Sequence, residues 1–270
     1  MTESSQDAQK SVLLAREEAV AWITLNRPGS LNALNPDLTV SLRAKLGAVA
    51  ADEAVRCVVI KGAGDAFMAG GDLRWFAELA RMPEAERHET VAALFPEAHG
   101  LIAAIRALPK PVIAAVHGSC AGFGLSLMLA CDLAIAARGT VFTPAYAQIG
   151  ASPDGGSTYH LPRVAGTKRA FEIALLGERF SAEDAAAWGL LNRVVAAEEL
   201  QVETANLAAR LAKGPAKVLA RTKALLNGAA DNTLAEQLEA EAAAFTQSAL
   251  EADFQEGIAA FLEKRKPSFQ

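Results

Sequence analysis

Short apolar runs that end in glycine-rich turns and pass into helical stretches constrain this chain most. Val55 to Ile60 is one such run; Gly62-Ala63-Gly64-Asp65 breaks it, and the turn Ala69-Gly70-Gly71-Asp72 follows. Pro111 to Val116 is another; the small-residue turn Gly118 to Gly124 leads from it into an apolar helix over Leu125 to Ala130, and Asp132 to Ala136 is a further strand. Runs this short, bounded by turn residues, read as buried strands. Strands alternating with helices early, and helices dominating late, indicate an α/β core followed by a helical C-terminal region.

The remaining elements fit that frame. Ser11 to Ala15 and Val20 to Leu25 read as two strands joined at Glu17-Glu18, with a loop at Asn26 to Ser30. Asn35 can cap a helix with Pro36 at its first position. Leu38, Leu42, Leu46 and Val49 then recur at helical spacing. A long helix is expected from Pro83 to Leu108, and Ser181 with Asp184 resembles a capping box. Pro215 suits the start of a helix through Leu226, and two more helices cover Leu234 to Phe245 and Ala249 to Leu262. Residues 1–10 read as a loose tail, 11–200 as the core that carries the site, and 201–270 as a helical oligomerisation region.

Composition excludes several function classes. A formal charge of −5 over 270 residues gives no global attraction to nucleic acid or an anionic membrane. No apolar stretch approaches the length needed to span a bilayer, and no secretory leader is evident. Cys57, Cys120 and Cys131 form neither a disulfide framework nor a metal-ligand spacing, which fits a reducing, cytoplasmic setting.

Two turns carry candidate chemistry. Ala69-Gly70-Gly71-Asp72 and His117 to Gly124 each lie between a strand and a helix. Glycines there admit close approach of a ligand, and N–H groups at a helix start favour negative charge. One N–H from each turn, aimed at a shared oxygen, makes an oxyanion hole. A tight structural turn is the simpler reading of either one alone. The second turn also reads Gly-x-Cys-x-Gly, like a nucleophile elbow with Cys120 as nucleophile. That fold needs an acid and then a histidine on separate later strands. His160, six residues beyond Asp154, is the one histidine after Cys120, which argues for Cys120 as a small buried residue.

Here a resemblance becomes specific. Lys110 to Gly118 with its following turn and Leu129 to Ala136, taken with Leu25-Asn26-Arg27-Pro28, Leu31 to Leu34, Ala66 to Leu73, Leu161-Pro162-Arg163, Ala187 to Leu190 and Lys264 to Pro267, resembles the enoyl-CoA hydratase/isomerase (crotonase) superfamily. The likeness runs from about residue 11 to 269. It implies an α/β fold of stacked ββα turns with a helical C-terminal region, a homotrimer or dimer of trimers, an acyl-CoA substrate, and neither metal nor separate cofactor. It also implies oxyanion donors at the N–H groups of Gly71 and Phe123. Arg27, Ser30, Leu31, Ala69, Asp72 and Leu73 would line the coenzyme A path, and Lys264, from this or a neighbouring subunit, would approach the phosphates. Arg74 is a further candidate phosphate partner.

The chain departs from the hydratase pattern. Two glutamates are expected to handle one water there; Ser126 and Tyr146 stand at the matching positions, and neither is a base near neutral pH. Asp154, in Ser152-Pro153-Asp154-Gly155-Gly156-Ser157, is the available carboxylate. It is a common turn residue, and it also resembles the active-site acid of certain isomerases in the family and the nucleophile of 4-chlorobenzoyl-CoA dehalogenase. The expectation is an enoyl-CoA isomerase in which Asp154 shuttles a proton while Tyr146 orients the substrate or bonds to Asp154. An acyl- or aryl-CoA hydrolase or dehalogenase, a hydratase, and a catalytically silent CoA-binding protein remain alternatives. Asp72 and Asp132 read as turn and helix-start residues. His117 reads as a backbone-bonding residue, and His88 and His99 as solvated or packed. Leu234, Leu238 and Phe245 read as an apolar stripe.

Overall fold

The computed structural model describes residues 10–269; the tail expected at residues 1–10 lies almost wholly outside them. Six strands form one sheet in the order β1-β2-β3-β4-β6-β9: β1 (Val12–Glu17), β2 (Val20–Leu25), β3 (Cys57–Gly62), β4 (Val112–Val116), β6 (Leu133–Ala137) and β9 (Arg193–Val195). The first pair is antiparallel, Val12 opposite Leu25, and every later pair in this sheet is parallel. A smaller sheet, β5-β7-β8, comprises β5 (Ser119–Ala121), β7 (Val141–Thr143) and β8 (Phe180–Ser181). The sequence reading missed these three strands and β9. Each has three residues or fewer, too short for an alternation to register.

Period-two alternation assigns the two faces of the large sheet. Ala21, Ile23 and Leu25 of β2 with Val58 and Ile60 of β3 point into the main core. Val20, Trp22, Cys57, Val59 and Ile113 point the other way, against Ala208 and Ala212 of a helix that covers that face. Both faces are therefore closed, as a parallel sheet requires.

The helices are α1 (Pro36–Ala51), α2 (Leu73–Leu79), α3 (Glu84–Ala107), α4 (Phe123–Ala130), α5 (Ser157–Ala165), α6 (Thr167–Leu176), α7 (Ala182–Ala187), α8 (Leu200–Ala212), α9 (Ala216–Gly228), α10 (Leu234–Ala249) and α11 (Ala252–Leu262). Asn35 caps α1, its side chain accepting from the Leu38 N–H, and Leu38, Leu42, Leu46 and Val49 are buried as expected. The Ser181 and Asp184 capping box forms at α7. The first helix of the C-terminal region, α8, packs Ala208 and Ala212 against the large sheet. Lys223 ties α9 down: it donates to the Ile105 and Lys110 carbonyls and pairs with Asp132 at 2.8 Å. Leu234, Leu238 and Phe245 of α10 are largely exposed in the single chain. Among the described residues no helix is long and apolar enough to cross a membrane.

Candidate active site

The two glycine turns meet backbone to backbone. A Cβ on Gly70 would lie 3.1 Å from the Ala121 carbonyl oxygen and 3.5 Å from Gly122 Cα. Met68 and Cys120 form an isolated parallel bridge, and the Met68 N–H donates to the Ser119 carbonyl. Gly70 (φ 93) and Gly122 (φ 49) occupy the left-handed half of conformational space that side chains disfavour. The contact therefore requires glycine on both sides.

Beyond this contact lies a cavity of about 520 Å³. Gly71 and Phe123 both line it. The residues on either side of Gly71 spend their hydrogen bonds on its neighbour strand: the Leu34 N–H donates to Gly70 O, and the Asp72 N–H to Leu34 O. Phe123 opens α4, so its N–H precedes any intrahelical acceptor. Neither N–H has an acceptor among the described residues. The Phe76 ring covers Gly71, where a Cβ would come within 2.5 Å of Cε2.

Asp154 faces the same cavity, and the two non-carboxylate positions hold it in place. The Tyr146 hydroxyl donates to Asp154 Oδ1 at 2.5 Å, and Ser126 Oγ donates to the Asp154 carbonyl oxygen at 2.9 Å. Oδ2 has no side-chain partner among the described residues. Burial raises the carboxyl above its ordinary value, against the opposing Tyr146 hydrogen bond and the nearby His99. Burial, together with the neighbouring Asp154 charge, pushes the Tyr146 phenol far up, so it stays a donor. Ala145 (φ 66), a left-handed residue other than glycine, turns the chain into Tyr146. Trp75, Phe76, Leu94 and Phe95 supply the apolar wall. His99, read from sequence as solvated or packed, lines this wall too, and its ring lies 5.2 Å from that of Phe95.

The remaining candidates sort by place. Ala69 and Leu73 line the cavity. Arg27 does not present a free guanidinium: it pairs with Asp72 Oδ2 at 2.9 Å and donates to the Ala33 carbonyl at 2.5 Å. Asp72 also accepts from the Arg74 N–H as the cap of α2. Burial would raise its carboxyl, but Arg27 and the backbone donors outweigh it and hold it below the usual range. Leu31 and Asn32 both have left-handed φ; Asn32 holds the loop by donating to the Ala63 and Ala66 carbonyls and accepting from the Arg27 N–H. Ser30 ends the 3-10 turn Pro28–Ser30 in this loop. Lys264 is exposed beyond α11 and is not among the residues lining the cavity. His117 bonds to the backbone as expected, its Nε2–H donating to the Gly64 carbonyl at 2.8 Å. Cys120 is fully buried, and no histidine or carboxylate accompanies it as an elbow would require.

Known proteins agree with this architecture. The family model "Enoyl-CoA hydratase/isomerase" matches residues 15–270. A 1,2-epoxyphenylacetyl-CoA isomerase of Escherichia coli K12 is 40% identical over 94% of this chain and 95% of its own length. A 4-chlorobenzoyl coenzyme A dehalogenase-2 of an Arthrobacter species is 30% identical over 98% of this chain and 95% of its own. The crystal structure of an enoyl-CoA hydratase from Polaromonas sp. JS666 superposes with a TM-score of 0.91 at 37% identity, covering 96% of this chain and 99% of that one. The chain thus has the crotonase fold and belongs to the enoyl-CoA hydratase/isomerase family.

Proposed function

We propose that the protein is an acyl-CoA isomerase in which Asp154 moves one proton along a thioester enolate. The observation that carries this reading is a single carboxylate in an apolar cavity, pinned through Oδ1 by Tyr146. Two carboxylates are needed to position and split a water; one suffices to take a proton and return it elsewhere. Asp154 Oδ2 removes a proton from the carbon next to the thioester carbonyl of a 3-enoyl-CoA. Its electrons delocalise into a dienolate, whose oxygen accepts hydrogen bonds from the Gly71 and Phe123 N–H groups. Asp154 then returns the proton at the far end of the system, and the double bond moves next to the carbonyl. Each oxyanion donor is worth about 2.7–4 kcal/mol of barrier in comparable sites. The raised carboxyl is better matched to this task than an ordinary aspartate.

Coenzyme A arrives as part of the substrate, and the chemistry draws on no separate cofactor. Trp75, Phe76 and Phe95 favour an apolar acyl group. The family resemblance, and the exposed Leu234, Leu238 and Phe245, support assembly into a homotrimer or larger. The dehalogenase relative favours a second reading, in which Asp154 attacks the acyl group as a nucleophile.

The test is turnover of a 3-enoyl-CoA in deuterated buffer, with Asp154→Asn alongside, followed by mass spectrometry. The expected result is the 2-enoyl isomer from the wild type and none from the variant. Product formation by Asp154→Asn at the wild-type rate would overturn the assignment. Oxygen-18 from water entering Asp154 in a single turnover would establish the nucleophilic reading instead.

A further inference from the structure

Behind the Asp154 turn, on the side away from Gly71, two adjoining cavities of about 520 and 750 Å³ open between α3, α5 and α9. They share the walls Arg106, Tyr159, His160 and Asn227. Nothing in the proposed chemistry uses them.

Their electrostatics are unbalanced. The Arg106 guanidinium makes no hydrogen bond or ion pair of its own among the described residues; only its carbonyl is engaged, accepting from Asn227 Nδ2 at 2.9 Å. Arg163 stacks over the Tyr159 ring at 3.6 Å, donates through one guanidinium nitrogen to the Tyr159 carbonyl at 3.0 Å and meets the exposed Asp231 at 3.7 Å. His160 is 6% exposed as a residue, and its ring nitrogens have no hydrogen-bond partner among the described residues but stay open to the chambers. Lys223 and Asp132, at the back of the larger chamber, are paired with each other. The groups facing His160 are thus Arg106 from α3 and Arg163 from α5, with the Lys223 and Asp132 pair behind and His99 at the rim of the smaller chamber. Positive charge exceeds negative, and the His160 imidazole shares the chamber wall with Arg106 without a hydrogen-bond partner. Donors that line an open chamber and have no partner within the protein are free to meet an anion there.

We propose that these chambers form a binding site for a small oxoanion, held by Arg106, Arg163 and His160. Arg106 and Arg163 supply charge-assisted donors from two helices, and His160 supplies a third donor when protonated. Burial, then Arg106 and Arg163, holds the imidazole down to about 4, so it is neutral at neutral pH without a ligand. An anion between the arginines reverses that balance, and binding takes up a proton. Affinity therefore rises as the pH falls below neutral. The site also abuts the catalytic turn: a Cβ on Gly156 would lie 3.7 Å from His160 Nε2. The site is independent of the reaction assigned to Asp154.

The test follows the ring resonances of the four histidines by NMR in the full-length protein, His160 being assigned by His160→Asn. Sulfate, which stays dianionic throughout, is titrated at fixed pH and at ionic strength matched with chloride. The expected result is a saturable shift of the His160 resonance, with its titration midpoint moved upward. Arg106→Gln weakens the sulfate response about tenfold, while its other histidine resonances report an intact fold. An acetate series run in parallel distinguishes a carboxylate ligand from a phosphate-like one by which gives the tighter response. A His160 resonance that moves no more with sulfate or acetate than with chloride overturns the proposal from the wild type alone.

Discussion

The Tyr146 hydroxyl donates to Asp154 Oδ1 across 2.5 Å, joining the position where a hydratase would carry its second glutamate to the one carboxylate of this cavity. A phenol there cannot accept the proton of a water, but it can fix the carboxylate and favour its ionised form. In Tyr146→Phe the Asp154 pKa rises further, since a hydrogen bond that stabilises the anion is gone. The acid limb of the kcat/KM profile moves to higher pH and kcat falls about tenfold. A pH–rate profile that keeps its midpoint would rule out this coupling.

Asp154→Asn separates catalysis from stability. Turnover drops by about 10²–10⁴, the usual worth of a positioned acid–base group, while acyl-CoA binding persists. The wild-type carboxyl is raised in the folded state, so its contribution to stability is complete below the unfolded pKa. It is lost as pH rises through the folded value. The variant should therefore be more stable than wild type at neutral pH, by about 1 kcal/mol, and equal in acid. Urea unfolding at two pH values measures both.

Lys223 is 8% exposed and pairs with Asp132, whose carboxyl burial raises despite that partner. Lys223→Met leaves the buried carboxylate without its ion-pair partner, with the Val112 N–H as its remaining hydrogen bond, which costs roughly 3 kcal/mol. The loss is largest above neutral pH and shrinks in acid, where Asp132 protonates. Adding Asp132→Asn should recover much of it, and chemical denaturation of both variants decides the matter.

Gly118 and Gly139 both have positive φ, at 62 and 85, but differ in their surroundings. A Cβ at Gly118 collides with the Asp65 carbonyl, whereas none of the neighbouring atoms lies within 4 Å at Gly139. Gly118→Ala should cost roughly 3 kcal/mol, and Gly139→Ala about 1 kcal/mol from backbone strain alone. Equal losses in thermal unfolding would contradict the packing argument.

Arg27→Lys keeps a positive charge but loses the fork that joins Asp72 to the Ala33 carbonyl. The loop carrying Gly71 then loosens. The expected signature is a fall in kcat of about tenfold with KM little changed. A phosphate-binding arginine would instead show the loss in KM.

The parts of the site that were legible in the sequence are those set by backbone chemistry. Glycines at 70, 71, 118 and 122 announce turns between strand and helix because few other residues fit there. Asp154 stood out as the carboxylate left where the two glutamates were missing. The Arg27 and Asp72 pair was not legible, because the partners lie on separate loops and no spacing in the sequence links them. His99 was equally hidden: helical spacing says which residues share a face of α3, but not what lies opposite. The small sheet escaped for lack of length, although β5 within it brings Cys120 alongside Met68 and so fixes the second turn.

The backbone contact between Gly70 and the Ala121-Gly122 turn has a consequence for how the protein acquires activity. Each turn hangs from a different strand, β3 or β4, and α2 and α3 intervene in the chain between them. Helices can form locally and early, whereas this junction exists only after the loop between those strands has closed. Recovery of catalysis during refolding should accordingly trail the return of helical signal, and enzymatic competence serves as a clock for the last long-range step.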